Sequence, residues 1–116
     1  MSRKMTLSNR WKSSKWRAAS RAALVVLSCK VQLYLPESRS LKSKRQVVKS
    51  LKDRLHNRFN ISVAEVDDTE LWQRCTLGLA VVSSAMDHAQ QVLTQAVNFI
   101  EQDVRLHLLD YSIEHY

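Results

Sequence analysis

Four basic side chains recur along residues 39–58 at a spacing typical of one flank of a helix. They are Lys42, Arg45, Lys49 and Lys52, and Arg39 precedes them. Residues three or four positions apart are neighbours on a helix surface, so these four cations, here called the basic stripe, would extend over about 15 Å. Phosphates neutralised by such a row release counterions, which makes binding depend on salt. The basic stripe, together with Arg39, is therefore a candidate nucleic-acid-binding surface.

Two other interpretations of the basic stripe stay open. A run of charges is most often a solvated helix face, and no base-reading motif accompanies this one. Residues 39–58 hold eight Lys or Arg against Asp53 alone, whereas residues 59–116 hold nine acids against Arg74 and Arg105. This charge dipole also favours contact between the basic stripe and the acidic half of a second copy of the chain.

The N-terminal tail, residues 1–23, is a second basic segment, with seven Lys or Arg and no acid. A segment of this composition is expected to be disordered, and it would add sequence-independent affinity for nucleic acid. Its candidate contacts are Arg10, Lys12, Lys15 and Arg17, and Trp11 and Trp16 would stack on unpaired bases. From residue 24 onward eleven bases balance eleven acids, so the net charge of +7 comes from the tail.

An acidic cluster surrounds a predicted turn and consists of Glu65, Asp67, Asp68 and Glu70. Paired carboxylates hold Mg²⁺ or Ca²⁺ or carry out acid–base chemistry, but no further ligand set and no Gly-rich turn accompanies these four. We expect Glu65 or Asp67 to form a salt bridge with Arg58 or Arg74 instead.

The histidines and cysteines indicate no catalytic or metal site. His56, His88, His107 and His115 lack metal-ligand spacing, and no nucleophilic triad follows from residue order. Cys29 and Cys75 fit a reducing compartment and are expected to be small core residues. The sequence therefore predicts a non-enzymatic protein without a metal or a cofactor.

Targeting signals are incomplete in this chain. Residues 22–27 form an apolar run of six, shorter than the roughly 7–15 residues of the apolar segment within a signal peptide, and the run continues into a strand pattern. A transit peptide is a second interpretation, because the tail is acid-poor and contains Arg and Ser. An upstream start codon or a disordered arm would explain the tail as well. No apolar run reaches the roughly 18 residues that span a bilayer. We predict a cytoplasmic protein without membrane contact.

Periodicity predicts six elements that would position these side chains. Strands are expected over residues 24–35, 61–66, 75–82 and 104–113, and helices over 39–58 and from 85 onward. Ser40 and Ser84 are the expected helix N-caps, and Gly78 suggests a bulge or a close backbone approach. Lys44 falls among the apolar residues of the first helix and is expected to extend its ammonium outward.

The order β-α-β-β-α-β predicts a ferredoxin-like α+β domain over residues 24–116, with two helices on one face of a four-stranded antiparallel sheet. RNA-recognition domains of this topology stack bases on aromatics of the central strands. Only Tyr34 and Tyr111 are expected on the open face, which argues against that mode. Thr76, Gly78, Ala80 and Val82 would instead make a flat face suited to a homodimer.

Three segments of the chain carry a resemblance to a known family. They are LPESRSLKSKR (residues 35–45), RFNISVAEVD (58–67) and LWQRCTLGLAVVS (71–83). Through them the chain, over residues 24–116, resembles the YlxP-like bacterial family of unknown function. The resemblance implies a ferredoxin-like fold and no established activity, and the genes of this family commonly lie beside translation genes. We expect a small RNA- or ribosome-associated binding module, with a homodimer that binds a protein partner as the alternative.

Overall fold

The computed structural model describes residues 24–116, and the predicted tail lies outside them. Its elements are β1 (Val25–Tyr34), α1 (Leu41–Arg58), β2 (Ser62–Asp67), β3 (Arg74–Ser83), α2 (Met86–Glu101) and β4 (His107–His115). One antiparallel sheet has the strand order β2-β3-β1-β4. The predicted ferredoxin-like fold is confirmed, and β3 is a central strand as its apolar sequence predicts.

The core lies between the two helices and one face of the sheet. Odd-numbered residues of β1, from Val25 to Leu33, are buried beneath the helices, and the even-numbered residues face the open side of the sheet. Cys75, Leu77, Leu79 and Val81 of β3 complete the buried face. α1 packs mainly against β2, and α2 packs against β1 and β3. One flank of α1 therefore lies toward the β2 edge of the sheet.

The start of α1 is the clearest local agreement between sequence and structure. Ser40 has extended backbone, and its hydroxyl oxygen accepts a 3.0 Å hydrogen bond from Ser43 N. This bond satisfies one of the backbone donors that a helix leaves unpaired at its first turn. The predicted N-cap is confirmed, and it fixes the position from which the basic stripe begins.

Two predicted boundaries around α2 are wrong. The N-cap is Ala85, and Ser83 Oγ, not Ser84, accepts a 3.1 Å hydrogen bond there, from Ala85 N. The last strand begins at His107 and not at residue 104, because Asp103 Oδ1 accepts a 3.0 Å bond from Arg105 N and turns the chain after α2. Val104, which alternation places in a strand, projects from this turn almost fully exposed.

Gly78 marks a close approach on the open face, as its sequence context predicts. A Cβ atom at this position would lie 3.0 Å from Val66 Cγ1. Val66 occupies a register shift between Glu65 and Asp67 where β2 pairs with β3, so it leans over its neighbour strand. The absence of a side chain at Gly78 makes room for this bulge.

Candidate nucleic-acid interface

The basic stripe forms one continuous flank of α1. Lys42, Arg45 and Lys49 are exposed, and Lys52 is partly buried beside them. These positions border the buried side of the helix on the flank opposite Arg54 and Arg58. Lys49 forms an exposed i,i+4 ion pair with Asp53 at 2.9 Å, which contributes little and leaves the ammonium accessible.

The other arginines of α1 are occupied by contacts with α2 and its C-terminal turn. Arg54 Nη1 lies 3.2 Å from Asp103 Oδ2, and the guanidinium groups of Arg54 and Arg58 lie 5.1 and 5.2 Å from the centre of the Phe99 ring. Cation–π contacts of this length are attractive. The two flanks of the helix thus differ, since one holds α2 in place and the other, the basic stripe, faces solvent.

Lys44 is buried, which contradicts the expectation that it extends outward. Its side chain is 1% exposed, and Nζ lies 2.7 Å from Glu65 Oε2. Nζ also donates a hydrogen bond to the carbonyl oxygen of Asp68. The reason is its place on the helix, because it shares the buried side with Val48 and Leu51. At that position the ammonium finds its acceptors in the Glu65 carboxylate and the Asp68 carbonyl, and it does not extend to solvent.

This pairing also corrects the partner predicted for the acidic cluster. Glu65 contacts Lys44, not Arg58 or Arg74. Thr76 Oγ1 donates a 2.8 Å hydrogen bond to Asp68 Oδ2, and Asp67 Oδ1 accepts from Asp68 N at 2.8 Å. Asp68 has a positive φ of 61°, and these bonds hold that left-handed turn. The acidic cluster thus stabilises the β2–β3 connection. Among residues 24–116, no group of three or more His, Cys, Asp or Glu side chains is placed to hold a metal ion.

The two cysteines are buried and unlinked. Burial raises the pKa of Cys29 to about 11. Burial, followed by the nearby charge of Glu65, raises the pKa of Cys75 to about 12. A thiol acts as a nucleophile only as the thiolate. Both groups therefore stay protonated at neutral pH and serve as core residues, as predicted.

The open face of the sheet carries Tyr34, as predicted, and a second ring, His107, that was not singled out from the sequence. Tyr34 and His107 are paired across β1 and β4, with ring centroids 6.1 Å apart and planes 24° from parallel. Tyr111 pairs with buried Val31 and lies on the helix side, so its expected place on the open face is wrong. A register shift at Leu109 reverses the alternation along β4. The alternation of apolar and polar residues before the bulge already indicates that His107 faces away from the core.

Three remaining predictions concern the tail contacts, Arg39 and membrane contact. The tail contacts Arg10, Lys12, Lys15 and Arg17 lie outside the described residues. Arg39 is exposed in the connection before α1 and makes no ion pair with any residue that the structure describes. Over residues 24–116, no helix has both the length and the apolar character needed to cross a membrane.

Fold and surface together define the class of protein as a small ferredoxin-like α+β domain with one cationic helix flank. Residues 26–113 match the family described as protein of unknown function (DUF503), and the chain belongs to that family. It is similar to the uncharacterized protein YlxP of Bacillus subtilis, with 36% identity over 73 residues that cover 63% of this chain and 77% of that protein. The resemblance seen in the three sequence segments is thereby confirmed.

Proposed function

We propose that this protein is a non-enzymatic, cytoplasmic binding module that contacts RNA, free or within a ribosomal particle, through the basic stripe. One observation carries the proposal. The cations of α1 are divided between two uses, with Lys44, Arg54 and Arg58 held by neighbouring elements. The basic stripe is left facing solvent along one flank.

A row of cations on a rigid helix matches a phosphate backbone in both charge and spacing. The four side chains extend over about 15 Å of helix, and adjacent phosphates of a nucleic acid strand are separated by distances within the reach of Lys and Arg side chains. Such contacts release counterions and carry no sequence information. The expected ligand is therefore recognised by its backbone first, and affinity falls as salt rises.

The test is charge reversal of the basic stripe in the full chain. A variant with Lys42→Glu, Arg45→Glu, Lys49→Glu and Lys52→Glu should lose most RNA affinity in filter binding over a salt series. The matched control reverses the same number of tail cations, Arg10, Lys12, Lys15 and Arg17. If the stripe variant binds like the original protein while the tail variant does not, the tail is the binding element and the proposal fails. Circular dichroism establishes that both variants are folded.

A second candidate is a homodimer that forms through the open face of the sheet and binds a protein partner. It is favoured by two exposed valines on that face, Val66 at 54% and Val82 at 65% exposure. Burial of such side chains against a second copy would be favourable. Sedimentation velocity distinguishes the two candidates, because a protein that stays monomeric at high concentration and still binds RNA supports the first. A nuclease-resistant complex with a protein would support the second.

A further inference from the structure

Three side chains form a row across one end of the open sheet face. Tyr34 of β1 is paired with Arg74 of β3 on one side and with His107 of β4 on the other. The even-numbered residues of β1 face away from the helices, and directly paired residues of an antiparallel sheet share a face. The stacked Tyr34 and His107 rings and the Arg74 guanidinium, here called the ring platform, therefore lie together on the open side.

The Arg74 side chain is available to a ligand. It is exposed, and it makes neither an ion pair nor a hydrogen bond with any other residue in the described range 24–116. His107 is also exposed, and Tyr34 is half-buried by its two neighbours. A cation on the strand beside Tyr34 offers a phosphate contact, and the stacked Tyr34 and His107 rings offer a stacking surface.

The ring platform adjoins the end of α1 where the basic stripe begins. Leu35 N donates a 2.8 Å hydrogen bond to the carbonyl oxygen of Gln73. Gln73 Nε2 in turn donates to the carbonyl oxygens of Pro36 and Ser38, at 3.1 and 3.2 Å. The residue before Arg74 is thus tied to the connection that carries Arg39 into α1, which places the ring platform and the start of the basic stripe at the same end of the domain, on opposite faces of the sheet.

We propose that the ring platform stacks an unpaired base of single-stranded RNA whose backbone follows the basic stripe, with Arg74 on the flanking phosphate. This inference rests on the proposed function and names its substrate class. Aromatic faces accept any base, and a basic groove beside them tracks the backbone. Asp110, one row away on β4, disfavours phosphate on that side. The backbone therefore leaves the platform over Arg74 on β3, toward β2 and the flank of α1.

The experiment compares three short RNAs by fluorescence anisotropy on the full chain: single-stranded oligouridylate, the same length of abasic single strand, and a blunt duplex. Tyr34→Ala and His107→Ala should each weaken binding of the oligouridylate by about tenfold and leave the abasic strand and the duplex unchanged. Tyr34→Phe, which keeps the ring, should bind like the original protein. Tyr116→Ala is the matched control, because Tyr116 is an exposed tyrosine at the other end of β4.

The outcomes separate this inference from the proposed function. If Tyr34→Ala and His107→Ala keep full affinity for oligouridylate while reversal of the basic stripe abolishes it, the ring platform is not a base site and the proposed function stands. Equal losses on all three RNAs would also overturn the platform, since abasic RNA has no base to stack. If the platform variants lose binding and stripe reversal does not, the ring platform is a base site, but the proposed function fails and with it the path of the backbone along the basic stripe. His107→Ala, at an exposed edge-strand position, carries the test if Tyr34→Ala does not fold.

Discussion

Lys44 carries a charge beneath the first helix, and its two oxygen partners explain why the chain tolerates it there. Removing an ammonium from water is costly unless the geometry of its partners repays that cost. Glu65 supplies a carboxylate at 2.7 Å, and the Asp68 carbonyl supplies a second acceptor. The pair connects α1 to β2 and to the turn that follows β2. A buried charge thus joins the first helix to the strand against which it mainly packs.

Replacing Lys44 should therefore be far more damaging than replacing a neighbouring lysine. Lys44→Ala leaves Glu65 without its partner and opens a cavity, and we expect the free energy of unfolding to fall by about 3–5 kcal/mol. Lys42→Ala, at an exposed position two residues earlier, should stay within about 0.5 kcal/mol of the original protein. Urea denaturation followed by circular dichroism measures both. Equal effects of the two substitutions would show that the buried ion pair does not stabilise the fold.

Asp103 is the residue whose ionisation should be visible in an acid titration of stability. Hydrogen bonds from Arg105, two of them at 2.9 and 2.6 Å, hold the pKa of Asp103 below its ordinary value of 3.8, against the opposing effect of burial. The carboxyl of the unfolded chain therefore takes up its proton first as pH falls. Stability from this group is complete above the ordinary value and is lost as pH falls below it toward the native pKa.

Asp103→Asn should consequently cost about 1–3 kcal/mol of unfolding free energy near neutral pH. The difference between the two proteins should shrink as the pH falls below 3.8, where the unfolded carboxyl of the original protein is protonated. Urea denaturation at a series of pH values gives both curves. A difference that stays constant down to about pH 2 would contradict the assignment of a charged Asp103 as the partner of Arg105.

At the scale of elements, serines precede both helices, but the two helices have different caps. Each has a serine where an N-cap is expected, but only Ser40 provides one, whereas Ser83 bonds to the backbone ahead of α2. Sequence patterns place a helix start within a few residues because several Ser or Thr positions satisfy the same rule.

This difference gives a matched pair of substitutions. Ser40→Ala removes the hydrogen bond to Ser43 N and should reduce the unfolding free energy by about 1 kcal/mol. Ser84→Ala removes no cap and should leave stability unchanged, although sequence rules treat the two serines alike. Thermal denaturation of the two variants measures the comparison. A larger loss for Ser84→Ala than for Ser40→Ala would contradict the caps described for α1 and α2.

The strands of the sheet differ in how well their sequences predict them. Alternation in β1 and the apolar run of β3 follow from which faces are buried, so both strands and their central places were predictable. Leu109 adds one residue to β4 at a bulge, and the residues after it change faces. A bulge at one edge of a sheet has no strong sequence signal, and Tyr111 was misplaced for that reason. The buried pair of Lys44 and Glu65 was equally hidden, since it depends on how α1 sits on β2.

For the whole molecule, the arrangement of charge matters more than its total. The charges of the eleven bases and eleven acids of residues 24–116 cancel, yet the ion pairs are unevenly distributed among the bases. Lys44, Arg54 and Arg105 are paired with carboxylates in partly or fully buried contacts. Within residues 24–116, Lys42, Arg45 and Lys52 of the basic stripe have no carboxylate partner. A domain with no net charge therefore presents one strongly positive flank. The tail, residues 1–23, adds a second positive segment.

Salt dependence distinguishes these two sources of charge in one protein. For single strands, the logarithm of the binding constant falls linearly with the logarithm of the salt concentration. The slope is about 0.7 in magnitude for each phosphate neutralised. Four cations on a fixed helix flank should act together, so neutralising the basic stripe with glutamine should reduce the slope by up to about 3. Lys49 contributes less if its pair with Asp53 at 2.9 Å persists in the complex.

Neutralising the four tail cations Arg10, Lys12, Lys15 and Arg17 with glutamine removes the same charge from the chain. If net charge governed binding, the two variants would lose equal slope. We expect the stripe variant to lose more slope, because four cations held along one helix flank can neutralise neighbouring phosphates at the same time and release their counterions. Fluorescence anisotropy over a salt series measures the two slopes. Equal slopes would show that total charge, rather than the geometry of α1, determines how this protein meets RNA.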